Sequence, residues 1–315
     1  ITGATGDTYV LTEAEVGKQI TVIASYTDGH GTAESVASDP TALVTNVNDA
    51  PTGSVTITGT PTQGQTLTAG NTLADVDGLG TITYTWQANG STIGTGTSYT
   101  LTEAEVGKTI TVVAAYTDGH GTAEAVSSAA TTAVANVNDA PTGSVTITGT
   151  ATQGQTLSVT NDLADADGMG TVSYQWQAGG VNITGATGDT YLLTEAEVGK
   201  QITVVASYTD GHGTAEAVTS AATTAVANVN DAPTGSVTIT GTPTQGQTLT
   251  AGNDLADIDG LGAISYTWQA DGTTIGTGST YVLTEAEVGK TITVVAAYTD
   301  GHGTAEAVSS AATTA

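Results

Sequence analysis

The sequence predicts an all-β chain of tandem immunoglobulin-like β-sandwich domains arranged as a linear rod. Three observations predict it. The string LTEAEVGK closes at Lys18, Lys108, Lys200 and Lys290, a spacing near 90 residues. That period is too long for a helical solenoid repeat and is the size of one small β domain. The string NVNDAPTGSVTITGT also recurs, with Asp49, Asp139 and Asp231 in matching places. Within each repeat, short runs alternate polar and apolar residues, with turn signals at roughly 8–12 residue intervals and one Trp in a fixed position.

Residues 48–137 serve as the reference repeat. Residues 54–58 (SVTIT) alternate and read as a half-buried strand. Residues 59–64 form a turn, and 65–69, centred on Leu67, a second strand. A polar loop over 71–80 carries Asp75 and Asp77. The strand over 81–87 has the clearest period of two, with Ile82, Tyr84 and Trp86 on one face and Thr81, Thr83, Thr85 and Gln87 on the other. Trp86, Trp176 and Trp268 hold the same place in that strand, which makes each a core residue. Asn89-Gly90 marks a turn. Residues 98–102 are a short strand, 103–107 a corner, and 109–117 a long strand with Ile110, Val112, Ala114 and Tyr116 inward. Asp118-Gly-His-Gly121 turns the chain into a last strand over 122–134. The repeats are placed at 48–137, 138–229 and 230–315, after the C-terminal half of another at 1–47. The segment over 181–191 is two residues longer than its counterpart over 91–99, a change expected in an edge or loop that leaves the sandwich intact. A chain that opens mid-repeat at Ile1 is expected of a segment from a longer array.

Composition narrows the function classes. The chain has 31 acidic residues, 4 basic ones and a formal net charge of −27. That balance repels nucleic acid and anionic membrane surfaces, and attracts cations. No Cys is present, so disulfides and thiol chemistry are excluded. No apolar run approaches the roughly 20 residues that span a bilayer. The core is thin in large side chains, so a bound metal is the expected source of added stiffness.

In an immunoglobulin-like sandwich, the chain's entry, the loop after the second strand and the loop before the last strand lie at one end. The corner before the sixth strand lies at the other. At the first junction this places Asn46, Asn48 and Asp49 of the linker, Asp75, Asp77 and Asp118 opposite Glu13 and Glu15 of the preceding repeat. The second junction has Asn136, Asn138, Asp139, Asp165, Asp167 and Asp210 opposite Glu103 and Glu105. The third has Asn228, Asn230, Asp231, Asp257, Asp259 and Asp300 opposite Glu195 and Glu197. Clustered carboxylates repel one another unless a cation neutralises them. Oxygen ligands with Asn and no Cys select Ca²⁺ over zinc or copper. The competing reading is that Asp, Asn and Gly simply favour turns.

His30, His120, His212 and His302 fall one per repeat in Gly-flanked turns and read as exposed turn residues, since zinc would need further nitrogen or sulfur nearby. The single Lys of each corner is expected to pair weakly with a nearby Glu. Asp75 with Asp77 lacks the cleft of a glycosidase pair and recurs in every complete repeat, so no enzymatic activity is expected.

Asn46-Val-Asn-Asp-Ala-Pro51 resembles the calcium-holding interdomain linker of cadherins. That linker, the LADVDG loop and the YTDGHGTAE turn together are similar to the tandem Ig-like or cadherin-like extender repeats of giant bacterial RTX-type adhesins. The resemblance runs over the whole chain, repeat by repeat. It implies calcium-rigidified extender modules, exported by a type I system to the outside of a Gram-negative cell, that project a distal adhesive domain. The glycine-rich RTX nonapeptide is not in the sequence. The implied partners are calcium ions and neighbouring repeats. A self-assembling extracellular filament or surface-layer subunit is the alternative, and other copies of the chain would then be partners too. A glycan-binding module would need exposed aromatics in a groove.

Overall fold

A computed structural model describes residues 1–315. Its contacts divide the chain into two compact units, Ile1–Asp139 and Ala140–Ala315. The first unit opens with a two-stranded antiparallel ribbon, β1 (Ile23–Thr27) on β2 (Ala33–Ala37). No second sheet covers it. Tyr26 is 58% exposed, whereas its counterpart Tyr116 is 5% exposed inside a complete sandwich.

The complete sandwich of this unit has seven strands: β3 (Val55–Thr58), β4 (Thr66–Asn71), β5 (Thr83–Ala88), β6 (Ser91–Thr95), β7 (Ser98–Thr100), β8 (Ile110–Thr117) and β9 (Ala123–Ser127). They form two antiparallel sheets, ordered β3-β4-β7 and β6-β5-β8-β9. The core lies between them. β8 reads ITVVAAYT, and its alternation buries Ile110, Val112, Ala114 and Tyr116 while Thr111, Val113 and Ala115 stay half-exposed. Trp86 is fully buried, pairs in register with Val112, and donates its indole N–H to Gly96 O at 2.9 Å. That bond removes the cost of an unpaired polar group in the core.

Two elements differ from the sequence expectation. Strand β6 lies in residues that gave no strand signal. Gly94 breaks the apolar alternation there because the Tyr99 ring fills its side-chain position; a Cβ at Gly94 would come 2.8 Å from Tyr99 Cδ2. The last strand ends at Ser127 rather than continuing to 134. Beyond it, the Ser128 and Thr131 hydroxyls accept from the Val112 and Ile110 N–H groups, so side chains replace part of the ladder. Single parallel bridges, Val106 to Val134 and Thr62 to Ala135, then hold the chain as it leaves.

The second unit contains two sandwiches of the same plan, each with a three-stranded and a four-stranded sheet. Their cores are built around Trp176 and Trp268. The longer segment in the first of these shortens the edge strand to Val181–Asn182. The sandwich is intact: Trp176 Nε1 reaches Gly188 O at 2.8 Å, across 12 residues instead of 10.

Candidate metal centre

The site at the first junction is built from four pieces of chain. The DVDG loop after β4 is locked by its own carboxylates. Asp75 Oδ1 accepts from Asp77 N at 2.9 Å, and Asp75 Oδ2 accepts from the Tyr116 hydroxyl at 2.5 Å. Burial, then the bond to Asp75, pushes the Tyr116 phenol well above its ordinary value, so it remains a donor. The DGHG turn after β8 packs on this loop. Gly119 N donates to Asp77 O at 3.0 Å, and a Cβ at Gly119 would lie only 2.5 Å from that carbonyl oxygen. Glycine is required there by the closeness of two backbones. Asp118 Oδ1 accepts from His120 N and Thr122 N, both at 2.8 Å. Burial opposes ionisation of Asp118, but the Thr122 and His120 N–H groups outweigh it and hold the carboxyl below its usual range.

The linker adds the third piece. Asp49 N donates to Asp77 Oδ2 at 2.7 Å, and Asn48 Nδ2 to Glu124 Oε1 at 2.8 Å. The fourth piece is the corner of the preceding repeat, a single 3₁₀ turn over Glu13–Glu15. Glu13 Oε1 lies 2.6 Å from His120 Nε2. Ligand atoms of Glu13, Asp77 and His120 all fall within 4.8 Å of one another.

The second unit repeats this geometry. Asp231 N donates to Asp259 Oδ2 at 2.7 Å, Asp257 takes the Tyr298 hydroxyl, and Asn230 Nδ2 reaches Glu306 Oε1. His302 Nε2 lies 2.8 Å from Glu195 Oε1, and Glu195, Asp259 and His302 gather within the same 4.8 Å span. The linker here is held from both sides, because Asp231 Oδ2 also accepts from Gln153 Nε2 of the preceding repeat at 2.9 Å.

The oxygens left over are the chemically telling ones. Asp77 and Asp259 are 4% and 3% exposed, yet the Oδ1 of each has no hydrogen-bond partner. The same holds for the Oδ2 atoms of Asp118 and Asp300 and the Oδ1 atoms of Asn46 and Asn228. Buried acceptors without donors are costly. These carboxylate and amide oxygens fit a hard cation, with the His120 and His302 imidazoles at the rim of the group on Glu13 and Glu195. Asn46, Asp77, Asp118 and Glu13 at the first junction, and Asn228, Asp259, Asp300 and Glu195 at the third, are the residues present to hold it.

The remaining predicted residues stand elsewhere. Glu15, Glu105 and Glu197 do not join these groups. Each accepts at Oε2 from the backbone N–H and hydroxyl of the Thr three residues earlier, closing a capping box on its own corner. Asp75 and Asp257 are engaged by their own loops and by tyrosine. Of the second-junction residues, Glu103, Glu105, Asn136, Asn138 and Asp139 belong to the first unit, where Asp139 Oδ2 accepts from Gln63 Nε2 at 2.7 Å. Asp165, Asp167 and Asp210 belong to the second; Asp165 holds Asp167 N and the Tyr208 hydroxyl, and Asp210 Oδ2 is buried without a partner. Sequence reasoning missed Gln63 and Gln153, which grip the linkers, and the reach of His120 and His302 across the junction. The lysines also go elsewhere: Lys18 and Lys200 donate to the Ala14 and Ala196 carbonyls rather than to a Glu.

No family model and no curated protein matches the sequence. Among solved structures, a tetra-tandem repeat from the extending region of a large adhesion protein is 21% identical, with TM-score 0.33 over 95% of this chain and 82% of that one. A Ca²⁺-stabilised adhesin with which an Antarctic bacterium reaches out and binds ice is 17% identical, with TM-score 0.33 over 93% of this chain and 80% of that one. A third, from a 1.5-MDa bacterial ice-binding adhesin, is 16% identical, with TM-score 0.28 over 84% and 98%. The chain is similar to these proteins over most of its length.

Proposed function

We propose that this chain is a structural extender of a secreted bacterial surface adhesin, in which Ca²⁺ at the linkers stiffens the array so that it holds a distal adhesive domain away from the cell. The observation that carries this reading is the repeated junction. In each unit a linker Asp, a buried aspartate with an unpartnered oxygen and a Glu from the preceding repeat lie at the same place. An ion there would bridge two consecutive repeats. Calcium supplies positive charge and accepts several oxygen ligands; the chain's residues supply the cage and hold the linker against it. On this reading the work of the molecule is mechanical.

For an extracellular module with affinity near 0.1 mM, about hundredfold excess calcium would add roughly 2.7 kcal/mol per site. Differential scanning calorimetry with added calcium and then with chelator tests this. Melting should shift upward with calcium and return on chelation, and calorimetric titration should give at least one ion per complete junction. Unshifted melting together with an absence of binding heat would refute the calcium part of the reading. Light scattering in the same solutions separates the alternative: growth of large particles on adding calcium would favour a filament or surface-layer subunit over an extender.

A further inference from the structure

The histidine of each DGHG turn is not needed by a calcium site, yet its imidazole reaches across the junction and hydrogen-bonds the corner Glu. His120 Nε2 sits 2.6 Å from Glu13 Oε1, and His302 Nε2 sits 2.8 Å from Glu195 Oε1. In each case a carboxylate oxygen of a third residue, Asp77 or Asp259, lies within 4.8 Å of both. Ligand atoms bound at about 2.0–2.2 Å to one ion fall within such a span of each other. The aspartates are more than nine-tenths buried, and each keeps one oxygen without a hydrogen-bond partner. Two features hold the turn that carries the imidazole. Asp118 Oδ1 accepts from His120 N, and Asp300 Oδ1 accepts from His302 N at 2.9 Å, so each turn is fixed at its base. The turn is in turn pinned to the aspartate's own loop by the Gly119 and Gly301 N–H groups, which donate to the Asp77 and Asp259 carbonyls.

We infer that Glu13–Asp77–His120 and Glu195–Asp259–His302 are mixed nitrogen–oxygen sites that bind a transition-metal dication of the zinc and cobalt class. The inference rests on reading these junctions as ion-holding, and adds to it a ligand and a cation. Imidazole nitrogen contributes little to Ca²⁺, which takes oxygen. It favours the later first-row dications, whose affinities for nitrogen ligands follow the Irving–Williams order. One imidazole and two carboxylates make three protein ligands, the carboxylate oxygens taking the place of the further nitrogen or sulfur that the sequence does not offer, with the remaining positions left for water. His120 and Glu13 keep about a third of their side-chain surface exposed (32% and 30%), which gives an ion a way in. A transition metal would therefore compete with calcium for Glu13 and Asp77, and the junction would respond to both.

The test uses the chain without any affinity tag, stripped of metal, and ZnCl₂ as the only added ion. A variant with His30, His120, His212 and His302 all replaced by Ala contains no imidazole, since the chain has 4 histidines. These side chains lie in turns outside the cores, and tryptophan fluorescence and circular dichroism verify the fold of the variant. Titration calorimetry should show at least two Zn²⁺ sites in the parent chain and a loss of about hundredfold in affinity in the variant. Calcium affinity should stay within about twofold, because imidazole is not among calcium's preferred ligands. X-ray absorption of the zinc-loaded parent should show one imidazole in the metal shell. Equal zinc binding by parent and variant, or none by the parent, would overturn the inference. An equal fall in calcium affinity would overturn it too, by making the histidine a support for the carboxylates. Zinc binding without any calcium binding would instead strike the extender's calcium reading and leave this one standing.

Discussion

Asp77 is where the chemistry of a single residue matters most. One oxygen takes the linker N–H of Asp49, and the other has no partner at 4% exposure. Asp77→Asn keeps the size and removes the charge. It should lower calcium affinity at that junction about tenfold or more, since ligand charge count sets the strength of such sites. It should leave the calcium-free melting temperature unchanged or slightly higher, because a buried unpaired charge is gone. Paired calcium titration and thermal melting check both parts. Trp86 carries the opposite role. It is fully buried and its N–H is satisfied, so Trp86→Ala should cost about 3–5 kcal/mol and unfold its own sandwich first in a denaturant titration. The acid limb has its own determinants. Asp162 is held below its ordinary value by the Ser144 N–H and then the Ser144 hydroxyl, with burial opposing; Asp254 is held likewise by Ser236. The folded state therefore binds these protons more weakly than the unfolded chain. Their contribution is complete above the unfolded value of about 3.9 and is lost as pH falls through the lowered folded value. Asp162→Asn with Asp254→Asn should flatten the fall of melting temperature below about pH 4 while lowering stability at neutral pH.

At the scale of elements, the junction depends on two loops that touch through backbone alone. Gly119 lets the DGHG turn lie on the DVDG loop, and a methyl there would collide with Asp77 O. Gly119→Ala should push the two apart, weaken calcium binding and leave the sandwich core folded; calorimetry together with unchanged tryptophan fluorescence reads that outcome. The strands that form the core were plain in the sequence, because β5 and β8 bury alternate residues and alternation is visible without any structure. Strand β6 was hidden because Gly94 takes the place of an apolar residue to admit the Tyr99 ring. The site was legible in outline. The linker and the Asp-x-Asp loop stood out by repetition, and Glu13 by its corner. Which carboxylate of the corner faces the junction was missed because the capping role of Glu15 was not read from its spacing. Glu15 sits three residues after Thr12 and caps it, a spacing visible in the sequence as Thr-Glu-Ala-Glu. Gln63 and Gln153 were missed because one amide far from the linker in sequence carries no pattern of its own.

At the scale of the whole molecule, the chain has little positive charge of its own with which to balance a net charge of −27. Monovalent salt screens such charge generally. A dication bound at a junction would neutralise it at a fixed point and tie two consecutive repeats to it. That difference separates a general electrostatic effect from calcium-held junctions. The most direct measurement is small-angle X-ray scattering of the 315-residue chain in calcium, in chelator, and in chelator with enough NaCl to match the ionic strength. Calcium-held junctions predict a long, well-defined maximum dimension in calcium that shortens and broadens on chelation and does not recover with NaCl. An identical profile in all three solutions would contradict them, and would make the linker carboxylates ordinary turn residues in an array whose stiffness, if any, comes from protein contacts alone.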